Sequence, residues 1–185
     1  MGEIKMKINY EHIADSTQHF LRATNFENKD DFKGTPERVM RMWKEFFNVD
    51  SRDFDLYPIA ATEKKGLVLL SGYVSWGFCP HHLLPVKYSF YIGYIPDKYY
   101  IGLSKLARLA DYKLRTFPLQ EDLTVSITEK LNTILEPEGY ACAIKGYHLC
   151  SAMRGVKGRE AEFYTSCFSD EVIKNEILSI MNLSR

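Results

Sequence analysis

Four residues with metal-ligand chemistry sit in two short stretches: Cys79 and His82 in Cys79-Pro80-His81-His82, and His148 and Cys150 in His148-Leu149-Cys150. A thiolate and an imidazole three residues apart in a tight segment can reach one small ion, and both are ligand types that zinc favours. Pro80 suits a ligand turn, although proline is common in loops generally. If residues 140–150 form a strand, side chains alternate along it and His148 and Cys150 point to the same side. Three of the four could then be ligands. If Cys79, His82 and Cys150 hold the ion, one coordination position stays open, as in catalytic zinc sites where a bound water ionises near neutral pH. His148 would then be free to serve as a general acid or base. The competing reading is that a cysteine is simply a small buried hydrophobe. Cys142 and Cys167 read that way, each in a strand pattern with no histidine beside it, and His12 and His19 read as ordinary helix residues.

Anion chemistry has candidates in the same half of the chain. Ser104, Lys105 and Arg108 open a helical pattern, with Lys105 and Arg108 three apart on one face. A helix N-terminus carrying Lys and Arg suits phosphate, while spacing alone favours a solvated basic face. Arg154 follows Cys150 by four residues. Gln120-Glu121 opens the next helix, where a carboxylate favours the dipole. Pointed into a pocket, the same carboxylate can accept two hydrogen bonds from a guanine N1–H and amino group.

These residues need elements to hold them. The pattern predicts a helix over 6–23, with Ile8, His12, Ile13, His19 and Phe20 roughly on one face. Thr35 reads as an N-cap and Pro36 as the first residue of a second helix carrying Val39, Met42, Trp43, Phe46 and Phe47. Residues 67–76 read as a strand. Val86, Tyr88, Phe90, Ile92 and Tyr94 alternate through a second strand that ends at Pro96-Asp97. Ser104 reads as the N-cap of a helix with Leu106, Leu109 and Ala110. A break at Phe117-Pro118 separates it from another helix with Leu123, Ile127, Leu131 and Ile134, which Pro137 and Gly139 stop. Strands follow at about 140–150 and 161–168. The order predicts an α+β architecture, a four-stranded antiparallel sheet with helices on one face after an N-terminal helical region.

Composition narrows the possibilities. At 185 residues, with 45% hydrophobic and 26% charged, the chain supports one domain with a real core and not a disordered segment. Acids and bases balance at 24 each, so bulk charge predicts neither a nucleic-acid nor a membrane partner. No apolar run reaches bilayer length, and MGEIKMKINY lacks a signal-peptide core, so a cytoplasmic location is expected. In that reducing setting the four cysteines are better read as ligands or core residues than as disulfides.

Taken together, CPHHLLP, YIGLSKLAR, LQEDLT and HLCSAMRGV, in this order and at these distances, closely resemble the GTP cyclohydrolase I family, and TPERVMRMW resembles its N-terminal helix motif. The resemblance runs from Thr35 to Val156. It implies the tunnelling fold (T-fold), with a helical region over 1–60 and a catalytic region over 61–185 of one domain. Subunits of that fold close their sheets into a barrel, in a homodecamer of two pentamers with active sites between subunits. Closure would also cover the sheet edges. Carried over, the Zn2+ ligands fall on Cys79, His82 and Cys150, and the acid/base histidine on His148. The guanine-binding carboxylate falls on Glu121 with Gln120 beside it. The triphosphate positions fall on Lys105, Arg108, Arg154 and Arg38, and His81 and Ser104 match positions near the ribose and phosphates. The implied reaction is hydrolysis of GTP at C8, with His148 protonating N7, loss of formate, an Amadori-type rearrangement assisted by Ser104 or His81, and closure to 7,8-dihydroneopterin triphosphate. That product stands at the start of folate, pterin or 7-deazaguanine synthesis.

The chain departs from the family pattern around this set. Pro80 replaces the glutamate of Cys-Glu-His-His, removing a carboxylate that could orient a neighbouring ligand. The run before Glu121 reads Arg115-Thr116-Phe117-Pro118-Leu119-Gln120, and Asp122 stands where a basic residue is usual. The Thr/Ser-rich tail after the Arg-Gly-Val motif is thin. The expectation is retained GTP hydrolysis. Ring opening without rearrangement, another purine triphosphate, or a non-catalytic zinc nucleotide-binding role are the alternatives. Retention of His148, which is not needed as a ligand, argues against the last.

Overall fold

A computed structural model of the chain describes residues 7–48, 58–61 and 66–183. The chain divides into two compact units, Met1–Val49 and Asp50–Arg185. In the first, α1 (Tyr10–Ala23) packs on α2 (Thr35–Phe47), with a 3-10 turn at Asp30–Phe32 between them. The first helix starts later than periodicity predicts because the Asn9 side chain accepts a hydrogen bond from the His12 N–H and caps it there; residue 6 lies outside the described residues. The second helix is capped by Gly34, in the left-handed region at φ 72°, and not by Thr35. Thr35 is already helical, and its hydroxyl accepts from Arg38 Nη2 at 2.8 Å.

The second unit is built on a four-stranded antiparallel sheet in the order β2 (Val68–Phe78), β3 (Pro85–Ile95), β5 (Gly139–His148), β6 (Phe163–Phe168). A two-residue pairing of β1 (Ile59–Ala60) with β4 (Tyr99–Tyr100), unsignalled in the sequence pattern, lies apart from it. Alternation along β3 puts Val86, Tyr88, Phe90, Ile92 and Tyr94 on one face, all buried. Against them pack α3 (Leu103–Leu114) and α4 (Gln120–Leu135), through Leu106, Leu109, Leu114, Leu123, Ile127 and Leu131. The α+β plan predicted from element order is therefore present. Gly102 and not Ser104 caps α3, because the Gly102 carbonyl already accepts from the Lys105 N–H at 2.8 Å; Ser104 sits within the first turn. Asp111 ties α3 to the sheet by accepting from Tyr73 Oη (2.7 Å) and Ser75 Oγ (2.6 Å). Burial and that carboxylate push the Tyr73 phenol up to about 12.

One helix was not expected from the pattern. α6 (Glu171–Leu183) covers the opposite face of the sheet through Ile173 and Ile177, against Tyr91, Ala141 and Ala143. Asp170 starts it by accepting from the Val172 and Ile173 N–H groups. The spacing Ile173, Ile177, Met181 carried the signal. Among the described residues no helix is long and apolar enough to cross a membrane.

Candidate metal centre and active site

The Cys79–Leu84 loop joins β2 to β3 as a closed turn: the Cys79 N–H donates to Leu84 O (2.9 Å) and the Leu83 N–H to Cys79 O (2.8 Å). Leu83 takes a left-handed conformation at φ 52° to close it, a conformation that costs an L-residue with a bulky side chain about 1–2 kcal/mol. The turn holds Cys79 inward, 5% exposed at the end of the main core, while His81 and His82 stay exposed. His82 Nδ1 lies 3.7 Å from Cys79 Sγ, and His81 Nδ1 lies 3.9 Å from the same sulfur.

The third ligand candidate arrives differently from expectation. β5 ends at His148, and Cys150 lies in the single helical turn α5 (Leu149–Ala152). The alternation that would put His148 and Cys150 on one side of a strand therefore does not apply. The helical turn swings Cys150 toward the β2–β3 loop instead. One ligand atom each from Cys79, His82 and Cys150 lies within 4.8 Å of the others. Two thiols and an imidazole are zinc-type donors. Ideal tetrahedral bond lengths put a sulfur and a nitrogen ligand about 3.6 Å apart. The 3.7 Å between Cys79 and His82 matches, so the residues present fit the ion. Cys150 hydrogen-bonds Cys79; burial and this neighbour raise its thiol above the ordinary range, and Arg154 pulls it back. Arg154 Nη1 lies 2.6 Å from His82 Nε2, so the exposed Arg154 belongs to this cluster.

His148 ends β5 beside the cluster, opposite Val86. Its ring sits edge-to-face against Tyr88 (5.9 Å between centroids) and Phe163 (5.4 Å). Burial lowers its pKa, and the nearby Glu121 carboxylate partly offsets that. His148 Nε2 lies 2.8 Å from Gln120 Oε1. Glu121 is exposed in the first turn of α4, and Gln120 before it is 5% exposed and turned inward. Sequence patterning ranked Tyr88 only as an inward strand residue. It is 1% exposed, and its hydroxyl is raised well above the ordinary phenol range by burial, then by Cys79, Cys150 and Glu121. The signal was available in its register, two residues from Val86 on the face that carries His148.

The remaining candidates are spread more widely. Ser104 and Arg108 are exposed on the first turns of α3, and Lys105 is half-buried there. Arg38 belongs to the N-terminal unit, where its guanidinium donates to Lys33 O (2.9 Å) and Thr35 Oγ1. Cys142 and Cys167 face each other across β5 and β6, away from the ligand cluster, as core residues should.

Comparison with known proteins follows the same residues. The sequence profile of the family described as GTP cyclohydrolase I matches residues 13–184. The chain is 38% identical over 156 residues to GTP cyclohydrolase 1 of Aquifex aeolicus (strain VF5), covering 82% of each. It is 31% identical over 183 residues to GTP cyclohydrolase 1 of Sulfurihydrogenibium sp. (strain YO3AOP1), covering 96% of this chain and 97% of the relative. Identity is 34% over 169 residues to the bifunctional protein FolKE of Lactococcus lactis subsp. lactis (strain IL1403), covering 88% of this chain. The chain spans about half the length of that relative, 48%.

Proposed function

Because this chain belongs to the GTP cyclohydrolase I family, we propose that it hydrolyses GTP at C8, releases formate, and rearranges and closes the product to 7,8-dihydroneopterin triphosphate. The observation that carries the reading is the convergence of Cys79, His82 and Cys150, from a loop and a helical turn far apart in sequence, beside His148 and near Glu121. Such a donor set suits Zn2+, which when bound supplies Lewis acidity that brings a water toward ionisation near neutral pH.

The chain's own groups have distinct tasks in this reaction. Cys79, His82 and Cys150 would hold the ion. His148, whose pKa burial lowers and Glu121 partly restores, takes up a proton and delivers it to N7 of the purine, so that the departing nitrogen does not leave as an anion. Glu121, exposed at the start of α4, accepts hydrogen bonds from guanine N1–H and its amino group, a pair of donors that adenine lacks. Lys105, Arg108 and Arg154 neutralise the triphosphate. Ser104 and His81 assist proton transfers at the ribose during the rearrangement. The sheet β2-β3-β5-β6 leaves β2 and β6 as edges, which supports closure into a barrel by further copies, in the decamer that the family resemblance implies, acting in the cytoplasm.

The test is to incubate zinc-loaded protein with GTP and assay formate and pterin in one tube. Equal formate and pterin are expected. Formate without pterin would mean that the ring opens and loses C8 but the reaction stops before rearrangement or closure, a reading that the exchange of glutamate for Pro80 supports. Neither product from metal-loaded protein would overturn the assignment.

A further inference from the structure

Gln120 has a donor side whose orientation leaves no choice. Its Nε2 lies 2.9 Å from Phe163 O and 3.3 Å from Ile144 O, two carbonyls that can only accept. A flipped amide would set its own oxygen against both. A second constraint comes from the threonines. Thr124 Oγ1 donates to Gln120 O (2.8 Å), so it must accept from Thr165 Oγ1 at 2.6 Å. Thr165 in turn accepts from Gln120 Nε2 at 3.2 Å. The two amide protons are shared among these three acceptors, and Gln120 Oε1 is left as an acceptor aimed at His148 Nε2.

Gly146 makes room for that contact. It lies two residues before His148 on the same face of β5, opposite Tyr88. A Cβ at this position would fall on Gln120 Oε1 and stand 3.0 Å from both Gln120 Cδ and His148 Nε2. The amide and the ring meet over a bare backbone, where any Cβ would have to displace the amide.

We infer that Gln120 is a positioning residue: seated on Gly146, it holds the proton of neutral His148 on Nε2 and so directs all proton exchange with substrate through Nδ1. This rests on the proposed role of His148, and it reassigns the Gln120 side chain from the guanine to the histidine. A histidine's tautomer follows from the bond its other nitrogen makes. Here that bond is supplied by an amide locked from behind.

Solid-state 15N spectra of sedimented, zinc-loaded protein with 15N-labelled histidine would test this, with His148 identified by loss of its signals in His148→Asn. The expected wild-type pattern is a protonated Nε2 and an unprotonated Nδ1 for neutral His148. Protonated Nδ1 in the wild type overturns the inference whether or not any variant folds. Gln120→Met and Gly146→Ala should both disturb that pattern, by removing the acceptor and by displacing it. With GTP, both should lose kcat on the order of 10²-fold, the lower end of what a positioned acid or base supplies, with KM within about twofold. Unchanged spectra, or unchanged kcat, in both folded variants would also overturn it. Wild-type protein with protonated Nε2 but no turnover of GTP would refute the proposed function and leave the clamp intact.

Discussion

Replacing Cys150 by alanine removes one donor from the ligand cluster while leaving the sheet and its core alone, since Cys150 lies in α5 and packs only at the margin of the main core. Small zinc domains with four protein ligands bind the ion with about 10–16 kcal/mol, or about 2.5–4 kcal/mol per ligand. Loss of one of three should weaken zinc binding by roughly 10²- to 10³-fold. The raised thiol of Cys150 adds a sign to the expectation: wild-type protein must release that proton on binding, so its affinity should climb more steeply with pH than that of the variant. Competition against a chromophoric chelator at fixed pH reads the affinity. Cys167→Ala is the matched control, because Cys167 lies opposite Cys142 in the sheet with Thr128 donating to its sulfur at 3.3 Å. It should keep wild-type zinc stoichiometry. Wild-type affinity in Cys150→Ala, or loss of zinc in Cys167→Ala, would refute the ligand assignment.

Two other predictions follow from the same geometry. His148→Ala should keep zinc and GTP binding but lose turnover by about 10²- to 10⁴-fold, measured as formate release; undiminished turnover would sink the acid/base role. Phe90→Ala empties a fully buried site between Tyr73 (6.3 Å between centroids) and Tyr88 (6.0 Å), and should cost about 3–5 kcal/mol in denaturant unfolding. A loss under about 1 kcal/mol would mean that the core collapses to fill the space.

Local chemistry made much of this protein legible from its sequence. Alternation in β3 and the apolar faces of α3 and α4 follow from periods of 2.0 and 3.6 residues, which depend only on the backbone. The same holds for the break at Phe117-Pro118. Helix starts were less legible: Asn9, Gly34 and Gly102 cap where periodicity pointed to residue 6, Thr35 and Ser104, because a cap depends on which backbone groups are already bonded. The residue types of the ligand set were visible as well, since only Cys, His and acidic residues hold such ions.

What the chain order could not decide is how those residues meet. Cys150 reaches Cys79 and His82 because β5 stops at His148 and one helical turn redirects the chain, not through the strand alternation that spacing suggested. Nothing local marks Gln120 as the partner of His148, 28 residues away. That contact exists because β5 and the start of α4 cross above Gly146, where a missing Cβ leaves room for an amide. The sequence by itself determined which chemistry is available. The tertiary structure decided which atoms face each other, because hydrogen-bond direction and close approach belong to pairs of residues that only packing brings together.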